Sequence, residues 1–321
     1  MILYTMKRSG FMYLNNKRYY TLDSFYKEKF GCKIAKVSLN GNFTCPNRDG
    51  TKGVGGCIYC SNLKSGDFAG DLNLNIVEQF NQIKEVMLHK WKNAKFIGYF
   101  QAGTNTYASV DKLKSLFEPI LSLPNVVGLN IATRADAITD ECLDYLSDLN
   151  SRTYLTIELG LQTIHNKTSA LINRCHTLEE FETMVLKLRK RNINVVVHII
   201  NGLPYETKNM MLETVKYLNK LDIQGIKIHM LHVLKNTKLE NLYKKEKFHI
   251  LTLDEYIDIV VSELELLRPD IVIHRITGDP KIEDLIEPTW LIKKFVVLNN
   301  IDKELKKRDS YQGKAIEKVI D

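Results

Sequence analysis

No stretch of this 321-residue sequence approaches the roughly 20 consecutive apolar residues that a membrane span requires, so no spanning helix is expected. The opening MILYTMKRSGFMYLNNKRYY is basic and aromatic and has no continuous apolar core, which excludes a secretory signal and makes a cytoplasmic protein the expectation. Short repeats, low-complexity tracts and Pro/Gly linkers are absent, so no clean domain boundary shows. At 44% hydrophobic and 26% charged residues, the composition excludes a disordered or collagen-like chain. A single α/β barrel takes about 250 residues, so the length suits one barrel-sized domain with an appendage.

What is present is uneven charge and a regular alternation. The net charge of +7 hides a basic start, with Lys7, Arg8, Lys17, Arg18, Lys27, Lys29, Lys33 and Lys36 against only Asp23 and Glu28. Phe11, Tyr13, Tyr19 and Tyr20 lie in the same arm, a mixture that suits phosphate attraction and base stacking, although a solvated basic surface accounts for it equally. Residues 254–287 reverse the sign. Apolar runs rich in Val, Ile and Tyr predict strands near 34–39, 95–101, 126–132, 153–159, 193–200 and 225–230. Three- and four-residue apolar spacings predict helices between them: Val77, Phe80, Met87 and Trp91; Leu178, Phe181, Val185 and Leu188; Met211, Val215 and Leu218. Thr177 with Glu180 predicts a capping box. A further helix is expected over 254–267, a short strand over 271–274 and a helical stretch from Trp290 to Leu305. Repeated strand–helix–strand units require parallel strands, in either a doubly wound sheet or an incomplete barrel, with ligands at the C-terminal strand ends.

Six cysteines occur, and three of them form C-x11-C-x2-C: Cys45, Cys57 and Cys60, directly after the first predicted strand. Structural zinc requires four ligands, and no fourth Cys or His is near; the next downstream is His89. No H-x-E precedes the pair, so the deaminase pattern fails. Three thiolates suit a [4Fe–4S] cluster with one iron left open, and Gly53, Gly55 and Gly56 allow close wrapping. Cys32 and Cys142 are read as packing residues and Cys175 as a bystander. Beyond the cysteines, successive strand ends carry polar groups: QAGTNT (101–106), NIATRAD (130–136), Glu158 and Gln162 on one strand face, His198 within an apolar run, and Lys227 with His229. A lone polar residue of this kind is ordinarily a satisfied core group, but five successive strands so marked form a ring around a polar ligand.

FTCPNRDGTKGVGGCIYCSN, SGDFAG, FQAGTNTYA, ATRAD, ELGLQTIHNKTSALINRCHT, HIINGLPYET, IKIHMLHVLKNT and HRITGD together resemble the radical S-adenosylmethionine (SAM) enzymes. The closer resemblance is to the YhcC/YtqA-type family, related to the catalytic subunit of Elongator, from about residue 20 to beyond 300. The usual superfamily spacing is C-x3-C-x2-C; the longer spacing is this family's own. A Rossmann methyltransferase is excluded because no cysteine-free G-x-G-x-x-G follows the first strand.

The resemblance implies a partial (β/α)6 TIM-type barrel of class α/β, with a basic arm (1–32), a radical SAM core (33–267) and a C-terminal α/β extension (268–321). It implies that Cys45, Cys57 and Cys60 hold a [4Fe–4S] cluster whose open iron binds SAM. Gln101, Gly103, Thr104 and Asn105 are then expected at the SAM amino group, Arg134, Asp136 and Glu158 at its ribose, and Gln162 and Arg174 at its carboxylate. Gly202, Leu203 and Pro204 fit an adenine-side turn. His198 stands where some relatives have an acidic residue. Lys227, His229, His232 and Lys235 are expected on the substrate side, with Lys227, His229 or Lys235 gripping a substrate carboxylate. The implied chemistry is reductive cleavage of SAM to a 5′-deoxyadenosyl radical that abstracts hydrogen. The implied substrate is the wobble uridine of tRNA, with 5-carboxymethylaminomethyl-(2-thio)uridine converted to the 5-aminomethyl form ahead of a separate tRNA methyltransferase. Elongator's acetyltransferase chemistry is not expected within 321 residues. The electron donor expected is of flavodoxin or ferredoxin type, and no membrane partner is expected. Two alternatives stand beside this: a radical SAM enzyme acting on a protein or small molecule, and a non-catalytic iron–sulfur RNA-binding protein.

Overall fold

The computed structural model describes residues 16–61, 66 and 68–317. Its strands are β1 (Ile34–Leu39), β2 (Lys95–Phe100), β3 (Val126–Thr133), β4 (Tyr154–Gln162), β5 (Asn194–Asn201), β6 (Gly225–Met230), β7 (Val233–Leu234), β8 (Val272–Arg275) and β9 (Leu285–Glu287). Between them run the helices α1 (Leu22–Phe30), α2 (Ile76–Lys90), α3 (Val110–Leu121), α4 (Asp140–Arg152), α5 (Asn166–Leu171), α6 (Leu178–Arg189), α7 (Lys208–Leu218), α8 (Lys238–Glu246), α9 (Leu253–Leu266), α10 (Lys294–Lys307) and α11 (Lys314–Glu317).

The main sheet has seven strands in the order β1-β2-β3-β4-β5-β6-β8. Sheet order follows chain order, with no reversal. A doubly wound sheet needs a switch point where the order turns back; right-handed crossovers that always step the same way put their helices on one face instead. The fold is therefore α/β of the partial (β/α)-barrel class. It carries one parallel strand more than the expected six, because the short strand predicted at 271–274 joins the sheet as β8, beside β6.

The described residues fall into two compact units. One comprises Tyr26–Leu161 with Ile172–Val197. Here β1, β2, β3 and β4 pair in parallel, with Ile34 opposite Lys95 and Ile131 opposite Ile157. Phe96, Ile97 and Phe100 of β2 are fully buried, as expected of a parallel strand covered on both faces. The predicted capping box is found: Thr177 accepts from the Glu180 N–H at 3.1 Å and the Glu180 carboxylate accepts from the Thr177 N–H at 2.8 Å.

The second unit holds Gln162–Leu171, the chain from His198 onward and the segment ahead of Tyr26. Its β6 and β8 pair in parallel, with Lys227 opposite Arg275. A small antiparallel pair, β7 and β9, was not foreseen. The helical stretch from Trp290 opens as a 3-10 turn, Thr289–Lys293, before α10. Ahead of Tyr26, the described residues 16–25 are tied into this unit. Tyr20 accepts from the Ile273 N–H at 2.7 Å, its own N–H donates to Gln312 at 2.8 Å, and Thr21 bridges to Ile273. Tyr19 and Tyr20 are 5% and 4% exposed, which corrects the expectation that they offer rings for stacking. Lys17 and Arg18 pair with Asp302 and Asp309. Lys7, Arg8, Phe11 and Tyr13 lie outside the described residues.

Candidate active site

The three cysteines of C-x11-C-x2-C sit on the connection from β1 to α2, within the first unit. Tight turns set their spacing: the Arg48 N–H donates to the Cys45 carbonyl at 2.8 Å and the Cys60 N–H to the Cys57 carbonyl at 3.0 Å. Long-range bonds fix the loop. The Ile58 N–H donates to Ile172 at 3.1 Å, the Asn173 amide to the Gly56 carbonyl at 2.8 Å, and Arg48 to the carbonyls of Cys60 (3.2 Å) and Ser61 (2.6 Å). A Cβ at Gly53 would stand 2.2 Å from Asn47 Oδ1 and 2.7 Å from Cys175 Sγ, so any side chain there would displace one or both.

The thiols feel one another. Burial pushes the Cys57 thiol up to about 11, proximity to Cys60 adds to that, and the Arg134 guanidinium opposes it. Among the described residues no three His, Cys, Asp or Glu side chains converge as ligands of a single ion. Four thiolates on one zinc stand within about 4 Å of each other, from Zn–S bonds near 2.3 Å. A cubane cluster instead takes its thiolates at separate iron corners. Three electrostatically coupled thiols on a glycine-wrapped loop, with a cation beside them, fit that group.

The segment after β2 packs against the start of this loop. The Thr104 N–H donates to the carbonyl of Thr44, the residue before Cys45, at 3.1 Å. Gly103 has φ +81°, and a Cβ there would stand 2.5 Å from the Phe43 carbonyl. Asn105, fully buried, donates to the Ala132 carbonyl at 2.7 Å and keeps Oδ1 without a partner. The Gln101 N–H donates to Leu39, the last residue of β1, at 3.3 Å.

After β3, Arg134 grips Asp136 through two bonds of 2.9 and 2.8 Å and donates to the Arg174 carbonyl at 2.9 Å. Burial alone would lower its pKa; the Asp136 carboxylate and the thiols of Cys45 and Cys57 outweigh that and raise it. On β4, Glu158 is 1% exposed and accepts from Lys36 Nζ at 3.1 Å and Asn130 at 2.9 Å. Gln162 ends the strand at φ +68°, a left-handed backbone rare for glutamine. Arg174, expected to meet a carboxylate, is 2% exposed and donates to the carbonyls of Leu161 (2.6 Å) and His176 (3.1 and 2.9 Å). Its guanidinium braces the 172–176 loop, and burial lowers its pKa. His176 beside it is held neutral, near 3, by burial and the two guanidiniums.

In the second unit, the rings of His198 and His229 lie 5.6 Å apart. Burial lowers the His229 pKa well below 6.5, and His198, Arg275 and Lys227 lower it further, so this imidazole is neutral. Lys227 is 6% exposed. His232 is lowered to about 4, by burial first. Lys235 is placed differently from Lys227 and His229: it follows β7, and its ammonium donates to the Glu283 carbonyl at 2.5 Å. Cys142 is buried, as a packing residue should be, while Cys175 is exposed.

Sequence reasoning missed Asn47, Arg48 and Asn173, which hold the cysteine loop, and Arg275 at the end of β8, which pairs with Asp279 at 3.2 Å. Asn47 and Asn173 lie inside the motifs quoted above, but nothing in the sequence joins two residues 126 positions apart.

Two family models match the chain: the Radical SAM superfamily over residues 45–218 and the Radical_SAM C-terminal domain over residues 223–307. The protein YtqA of Bacillus subtilis is 50% identical over 315 residues, covering 98% of both chains. The protein YhcC of Escherichia coli is 31% identical over 293 residues, covering 90% of this chain and 92% of that one. Among solved structures, an archaeal Elp3 from Methanocaldococcus infernus with an N-terminal deletion shares the fold at a TM-score of 0.67 and 17% identity, covering 88% of this chain and 64% of that one. The chain therefore belongs to the radical SAM superfamily, whose members use a [4Fe–4S] cluster and SAM, and within it to the YhcC/YtqA-type family.

Proposed function

We propose that this radical SAM enzyme modifies the wobble uridine of tRNA, converting 5-carboxymethylaminomethyl-(2-thio)uridine to 5-aminomethyl-(2-thio)uridine. The observation that carries the catalytic part is the glycine-wrapped loop that fixes Cys45, Cys57 and Cys60 after β1, with the Cys57 thiol beside the other two and Arg134. When bound, the cluster and SAM supply one-electron chemistry for hydrogen-atom abstraction. Cys45, Cys57 and Cys60 hold the cluster, and Arg134 favours the ionised form of Cys57. Gln101, Gly103, Thr104 and Asn105 present a fixed backbone to SAM; Asp136, Glu158, Gln162 and His198 orient it, while Arg174 positions the Leu161 and His176 carbonyls. Lys227 and His229 serve the substrate. A neutral imidazole at His229 accepts or donates a hydrogen bond without adding charge beside Lys227.

The relation to Elongator supports the tRNA part, and the net charge of +7 favours a polyanionic partner. A flavodoxin- or ferredoxin-type donor supplies the electron, and a tRNA methyltransferase consumes the product. Nucleoside mass spectrometry tests the reading. Hypomodified tRNA carrying the carboxymethylaminomethyl group is incubated anaerobically with reconstituted enzyme, SAM and reductant. The expected result is loss of that nucleoside and gain of the aminomethyl form. Formation of 5′-deoxyadenosine with unchanged wobble nucleosides would refute tRNA as substrate while leaving the radical chemistry intact.

A further inference from the structure

Asn47, two residues after Cys45, is fully buried, and its amide has two hydrogens to place. One goes to the Asn173 carbonyl at 2.5 Å and the other points at Cys57 Sγ at 3.6 Å. Its carbonyl oxygen is buried and has no partner. An unsatisfied buried acceptor costs about 1–3 kcal/mol, so this orientation is retained against a penalty. Flipping the amide would bring Oδ1 against two acceptors, a carbonyl and a sulfur. The space Oδ1 occupies is the one Gly53 leaves open by lacking a Cβ. The main-chain carbonyl of Asn47 meanwhile accepts from the Gly56 N–H at 2.7 Å, so residue and loop are locked together.

We propose that Asn47 is a positioning residue that tunes the cluster by donating an N–H···S hydrogen bond to the Cys57 thiolate. Hydrogen bonds to ligating sulfurs set iron–sulfur reduction potentials, because a donor stabilises the added electron. Asn47 thus makes the cluster easier to reduce than three bare thiolates would. This rests on the cluster being held by Cys57.

Redox titrations followed by electron paramagnetic resonance test it, on anaerobically reconstituted wild type, Asn47→Leu and Asn47→Asp. Leu matches the size and removes the donor; Asp keeps the shape, removes the donor and adds negative charge. Both variants should bind iron and sulfide yet reduce at a more negative potential, with Asp shifted further. An unchanged potential in either variant that assembles a cluster would overturn the proposal. A purely structural role would lower iron content without moving the potential. A third measurement needs no variant: wild type labelled with 15N at the asparagine side-chain amides should show, once reduced, a hyperfine coupling across the N–H···S contact, and its absence overturns the assignment. Failure of wild type itself to bind iron and sulfide would instead remove the cofactor reading beneath it.

Discussion

Glu263 of α9 is fully buried, with Oε2 accepting from Asn201 Nδ2 at 2.8 Å and Oε1 without a partner. Burial raises its pKa from 4.5 to about 8, and the Asn201 bond only partly offsets this. The unfolded chain releases this proton near 4.5, while the folded chain keeps it to about 8. In that window the native state binds more protons than the unfolded one, so the contribution to stability is complete below 4.5 and is lost as pH rises. At about 1.4 kcal/mol per pKa unit, this group alone removes about 2 kcal/mol between pH 6 and pH 8 and levels off near 5 kcal/mol above pH 9. Glu263→Gln keeps an acceptor for Asn201 and deletes the titration. Urea unfolding of both proteins across pH 5–9 is the assay. Wild type is expected to lose about 2 kcal/mol relative to the variant from pH 6 to pH 8; parallel curves would refute the reasoning. Asn201 ends β5 just before the Gly202–Leu203–Pro204 turn, so loosening at high pH should also be felt in that turn.

Two further outcomes follow from the first unit. Lys36→Met removes the ammonium from the buried Glu158 carboxylate and should cost about 3–5 kcal/mol at neutral pH, while adding Glu158→Gln recovers most of it; equal unfolding midpoints for the single and double variants would contradict this. Gly103→Ala drives a Cβ into the Phe43 carbonyl beside the cysteine loop, whereas Gly50, at φ +94°, has open space around it. Both alanines carry the left-handed penalty of about 1–2 kcal/mol, but only Gly103→Ala should also lower iron content after reconstitution, as read by metal analysis.

β1 was legible to its last residue, because a short apolar run followed by polar loop chemistry leaves little choice. The capping box at Thr177 was legible for the same reason: it is local. The bonds from Arg174 to the carbonyls of Leu161 and His176 were not legible, because main-chain atoms carry no sequence signature. The burial of Tyr19 and Tyr20 was not legible beside basic neighbours, since Tyr20 is held by Ile273 and Gln312, more than 250 residues away. Asn47 escaped notice because an asparagine after a Cys-Pro reads as a turn residue until its amide is seen facing sulfur.

The central claim is that three thiolates hold a cluster with an iron left open for SAM. Electron paramagnetic resonance of the reduced, reconstituted protein with and without SAM addresses it most directly. The account predicts about four irons and four sulfides per chain and a spectrum that changes when SAM is added, with Cys45→Ala, Cys57→Ala and Cys60→Ala each abolishing the signal and Cys175→Ser preserving it. A protein that takes up zinc without sulfide, or a cluster spectrum indifferent to SAM, would contradict it.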